Sequence, residues 1–177
     1  MQNIFIGLIL FLSVVLQTSF LPNFFPAGAV PDIALIVIII WTAQVDFNAV
    51  LKWAILGGLL LDLASFWPIG MDVFSFVAVA FVVNSLSKRF LVNQFAWKFF
   101  IVMAMIAIGT LINYVIVFSL MKMLVSFKGL ADSSGSIINQ DLFLKPLYNL
   151  IVFAAIYWPL EKLDKTFKYN KRIIIKR

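Results

Sequence analysis

Chemistry in this chain has to be sought among its carboxylates. The 177 residues include neither histidine nor cysteine, so disulfides, thiol chemistry and the commonest general base and metal ligand are absent. The acid that stands out is Asp62, set in the stretch GGLLLDLASFWPIG from Gly57 to Gly70. Burial penalises a charge, so an acid in so apolar a run is neutral, hydrogen-bonded within the protein, or turned to water. Aspartyl proteolysis inside a membrane needs two carboxylates sharing a proton at close range. Asp72 falls on a different expected helix, and no second intramembrane acid accompanies Asp62. Serine hydrolysis lacks a base, because the lysines fall at helix ends or in loops. Gly57-Gly58 is not a phosphate loop, since no GK[ST] follows it. These residue types argue against an enzyme, and they call for no cofactor and no metal.

What the spacing around Asp62 does predict is packing. Ala54, Gly58, Asp62 and Ser65 follow one another at helical steps and share a face. Together with Gly57 they form a small-residue stripe of the kind that lets two helix backbones approach closely in lipid. Two readings follow: Asp62 is a structural hydrogen-bonding residue at that contact, or it binds a partner or ligand there.

The elements that must position these residues are membrane helices. The composition is 63% hydrophobic with a mean hydropathy of +1.05, more apolar surface than a soluble core of this size can bury. Six apolar stretches are expected as spans at residues 3–21, 30–47, 50–67, 71–86, 97–122 and 142–160, forming one transmembrane domain over 1–177. The first is expected to be retained, because no basic region precedes it. Ser13 and Gln17, four apart, share a face from which they can bond to a neighbouring helix. Pro31-Asp32 opens the second span, with proline in a first turn and the acid at the positive end of the helix dipole. Pro68 and Gly70 make the tight turn before the fourth. Gly109 and Asn113 mark a close-packing point and a hydrogen-bonding partner in the fifth. Lys128 to Asp141 reads as a polar loop.

Orientation follows from the basic residues. With six spans, one face holds Lys52, Lys88, Arg89, Lys98 and the seven basic residues after Leu160, leaving Lys122, Lys128 and Lys145 for the other. The positive-inside rule makes both termini cytoplasmic and puts Asp32, Asp62 and Asp72 toward the outer face. The net charge of +6 is thus a topology signal rather than a nucleic-acid footprint. The tail 161–177 is expected to be cytoplasmic, attracted to anionic lipid or docking a cytoplasmic protein.

VLQTSFLP (Val15 to Pro22), PDIALIVIIIW (Pro31 to Trp41) and above all GGLLLDLASFWPIG resemble the recurring pattern of the MreD family, bacterial rod shape-determining membrane proteins. In that resemblance Pro31, Asp32, Gly58, Asp62, Pro68 and Gly70 take the positions of the family's recurring residues. It implies a small all-α protein of the bacterial plasma membrane, without enzymatic activity, similar in fold to the substrate-binding component of energy-coupling-factor transporters. It also implies partners: an MreC-like bitopic protein, an MreB-like filament, and the RodA polymerase with its transpeptidase, in the complex that directs peptidoglycan synthesis along the cell. The competing expectation is a solute-binding membrane component of a vitamin transporter, with Gln17, Asp62 and Asn113 lining an outer pocket. Such a pocket wants several convergent polar groups, and few are foreseen within the bilayer, which favours a scaffold.

Overall fold

The computed structural model describes residues 2–25, 30–65, 68–90, 98–127 and 144–155, and within them every regular element is helical. Helix α1 (Gln2–Val15) runs on into a π-helical turn, Leu16–Phe20, and a short 3-10 turn, Leu21–Asn23. Then come α2 (Ile33–Thr42), α3 (Phe47–Ala64), α4 (Met71–Phe90) and α5 (Lys98–Phe127), and α6 (Leu144–Ala155). The expected loop Lys128–Asp141, the last part of the expected sixth span and the basic tail lie outside the described residues.

Four segments are long and apolar enough to cross a membrane: Ile4–Asn23, Phe47–Ala64, Met71–Arg89 and Phe99–Leu124. The other two helices are shorter. α2 has only ten residues, about 15 Å of helix, where a span from 30 to 47 was expected. Both its ends are fixed by capping. Asp32 leaves the helical region at φ −88°, ψ 79°, and Ala43 closes the last turn onto the carbonyl of Ile39. Eight of its ten residues are buried, as a helix apolar on every side must be, and α1, α3, α4 and α5 all pack on it.

Contact order gives the directions. Gly58 lies beside Val73, Asn84 bonds to the carbonyl of Val45, and Lys88 reaches Asp46, so α3 and α4 run oppositely as a hairpin. Asn113 meets Ser75 and Gly109 meets Val79, which turns α5 back against α4. In the same way α2 and α6 oppose α5, through Ile39 beside Gly109 and Asn149 beside Thr110. α1 runs parallel to α3, with Gly7 at Trp53 and Leu10 at Gly57. The chain therefore passes back and forth through one layer. Leu10, Ile36, Ile39, Phe76, Val79 and Ile106 fill its centre, while Ile4, Leu8, Phe11, Phe81 and Ile151 face outward. In a bilayer those outward side chains meet lipid, and the backbone groups are satisfied inside each helix.

Candidate functional site

Both acids of interest sit at the end of the bundle where α1 finishes and α2 begins, the distal end. On α3, Asp62 stands one turn before the helix stops. Its carboxylate does not reach out to a side chain. Oδ2 accepts the N–H of Gly70 at 2.8 Å and of Val73 at 3.4 Å, and Oδ1 accepts that of Asp72 at 3.0 Å. These are the N–H groups at the start of α4, which have no partner within their own helix. Asp62 thus caps α4 from outside, and the positive end of that helix dipole faces the carboxylate. Gly70 makes the geometry possible: its φ of +106° suits a residue without Cβ, and its carbonyl accepts the first α4 bond, from Phe74 N–H, at 3.0 Å.

Gly58 brings α3 close enough for this. A Cβ built there would lie 2.5 Å from the Cα of Val73 and 2.6 Å from its nitrogen, so only glycine fits at that approach. Gly57, its neighbour, has ordinary room: a Cβ would come no nearer than 3.6 Å to Leu10 and 3.7 Å to Phe76. Ala54 is buried on the same side. Ser65 lies just past the end of α3, where its hydroxyl donates back to the carbonyl of Asp62 at 3.2 Å. Pro68 leads into the Ile69-Gly70 turn.

The second acid gathers far more of the molecule. Asp32 precedes α2 but does not cap it with its side chain. Other helices take over that task. Asn149 of α6 accepts the Asp32 N–H at 2.7 Å, and Gln17 of the π-helical turn accepts the Ala34 N–H at 3.3 Å. The carboxylate is released to serve as a hub. Gln17 Nε2 donates to Oδ1, Asn113 Nδ2 donates to Oδ2 at 3.3 Å, and Lys145 Nζ sits 2.8 Å from Oδ2. An outer ring extends it, with Ser75 donating to Asn113 and Asn149 donating to Thr110 at 2.9 Å. Among the described residues no buried side-chain nitrogen or oxygen is left without a partner. A carboxylate and an ammonium taken out of water together need this degree of satisfaction.

Pro31 and Asp32 were expected to start a helix, with Asp32 toward the outer face; beyond that, Asp32 joins α1, α2, α5 and α6, and through Asn113 also α4. Gln17 and Asn113 converge as a pocket lining would, but around Asp32 and not around Asp62. Ser13, paired with Gln17 in the sequence, bonds instead to the carbonyl of Ile9 in its own helix. Lys145 and Asn149 carried no warning beyond their side-chain types. The π-helical turn carried a faint one: it widens α1 at Gln17, and such turns recur at functional sites. No group of three or more acids among the described residues is arranged to hold a metal ion.

No curated protein and no solved structure matches the chain. A family model does: that of rod shape-determining protein MreD, over residues 1–167. With that match covering most of its length, this all-helical, multi-pass membrane protein belongs to the MreD family of rod shape-determining proteins.

Proposed function

We propose that the chain is a non-enzymatic scaffold of the bacterial cell-elongation complex. It lies in the plasma (inner) membrane with both termini cytoplasmic. There it couples an MreC-like bitopic protein and, directly or indirectly, an MreB-like filament and the RodA polymerase with its transpeptidase to peptidoglycan synthesis. The reading takes α2 and α6 as completing six crossings, in an arrangement like that of energy-coupling-factor substrate-binding components. Beyond the family match, one observation carries it: among the described residues every buried side-chain nitrogen and oxygen has a partner within the chain, so that interior chemistry is consumed in holding the bundle. In this reading Ala54, Gly57, Gly58, Asp62 and Ser65 serve packing within the chain, and partner helices meet the lipid-facing surfaces.

A second reading draws on the convergence of Gln17, Asp32, Asn113, Asn149 and Lys145, a set rich enough to bind a polar solute. It has to displace bonds that are already made. Purification from the native membrane in gentle detergent, with mass spectrometry of what accompanies the protein, separates the two. MreC-like and cell-wall-synthesis proteins are the expected companions; an ATPase module or a bound vitamin instead would overturn the scaffold.

A further inference from the structure

α6 is tied to the start of α2 by two polar side chains. Its inward face is the line Lys145, Asn149, Phe153, at steps of four, while Leu147 and Ile151 on its other sides are exposed at 53% and 58%. Phe153 stacks on Phe99 at 5.4 Å. The other two both act on Asp32: Asn149 takes its N–H, and Lys145 takes its carboxylate. In a bilayer a helix gains no hydrophobic energy by leaving lipid for protein, so packing and polar links decide whether it docks. One of these links has an alternative. The Lys145 side chain is 24% exposed and stands in the first turn of α6 at the distal end, where a four-carbon stem can carry the ammonium to the aqueous interface. Asp32, with a side chain only 3% exposed, has no such exit.

We propose that the Asp32–Lys145 ion pair is a releasable clasp. While it is made, α6 covers the polar junction; when Lys145 gives up Asp32 for water, α6 tilts away and Asp32, Asn113 and Ser75 open to the aqueous phase at the distal end. The proposal rests on α6 lying in the membrane, which the scaffold reading includes, and not on which partners the protein has.

The chain contains no cysteine, so single reporters are clean. Ser75 is fully buried, and Ser75→Cys in the full-length protein in native membranes gives a thiol whose reaction with a membrane-impermeant maleimide reads the opening. Labelling is expected to be slow in Ser75→Cys alone. It should rise at least about tenfold when Lys145→Gln is added, and fall back to within about twofold with Lys145→Arg, since the open population follows the balance of the two states. Equal rates in all three, or equally fast labelling with Gln and Arg, overturn the clasp. Should the Gln variant fail to accumulate, nitroxides at Phe81→Cys and Ile151→Cys, both on exposed sites, measure the α4–α6 distance with Lys145 in place. A second, longer distance population beside the closed one is expected, and a single distance overturns the proposal.

Discussion

Asp32 and Asp62 are both buried acids at the same end of the bundle, and they are compensated by opposite means. Asp62 is met by backbone alone, through three N–H groups of residues eight to eleven positions away, and by the dipole of the helix they begin. Asp32 is met by side chains alone, from Gln17, Asn113 and Lys145. Backbone donors are lost only to proline and cannot move without unwinding α4, so the Asp62 site is a fixed joint. Side-chain donors can be replaced or can swing out, so the Asp32 site is adjustable. The difference separates a motif that holds two helices in register from a junction through which distant helices sense each other.

The comparison breaks most visibly at Asp32. Asp32→Leu takes the acceptor from the buried Gln17 and Asn113 amides and removes the Lys145 ion pair, and is expected to cost about 3–5 kcal/mol of stability, read as thermal unfolding in detergent. Adding Lys145→Met should recover part of that loss, because no ammonium then pulls the first turn of α6 toward water; no recovery would mean the ion pair is incidental. Next in size is Gly58→Ala, whose Cβ would sit 2.5 Å from backbone. Forcing α3 from α4 should cost about 3 kcal/mol and disturb the Asp62 cap with it. Asp62→Leu strands the α4 donors and is expected to cost about 2 kcal/mol, whereas Asp62→Asn retains an acceptor and should cost about 1 kcal/mol. An Asn variant as damaged as the Leu variant would show that the charge, not the capping bond, is what α4 requires. The smallest effect belongs to Gly57→Ala, where the space is ordinary and alanine's better helix propensity offsets any crowding; a change under about 0.5 kcal/mol is expected, and a loss as large as that of Gly58→Ala would dissolve the distinction between the two glycines.

How legible each site was follows from the same contrast. The Asp62 joint is written in fourteen consecutive residues, because a helix end, a turn and the next helix start are local events, and the small-residue stripe pointed to a close approach there. Which helix makes that approach was not written: the stripe faces the chain's own α4. The Asp32 junction is scattered. Its partners lie 15, 81 and 117 residues away for Gln17, Asn113 and Asn149, and each alone reads as an ordinary polar residue in an apolar helix. Lys145 read as a boundary charge on the topological count, which is where its position in sequence puts it, although its ammonium turns inward. The second span was drawn from 30 to 47 because a dozen apolar residues is too short to cross a bilayer, whereas the helix itself, with Asn149 and Gln17 at its start, runs only from Ile33 to Thr42.

The distance between Asp32 and Asn149 also sets an order of events in biosynthesis. At about 5–20 residues per second, the 117 residues separating them take roughly 6–23 s to emerge from a ribosome. Throughout that interval α2 has Gln17 at its first turn but lacks the Asn149 cap, and its acid has no counter-ion, so the nascent chain must be sheltered by the insertion machinery or must hold α2 near the headgroups until α6 arrives. Closure of the Asp32 junction therefore waits for α6, and a ribosome that stops before Lys145 releases a product whose buried acid has amide donors but no counter-ion.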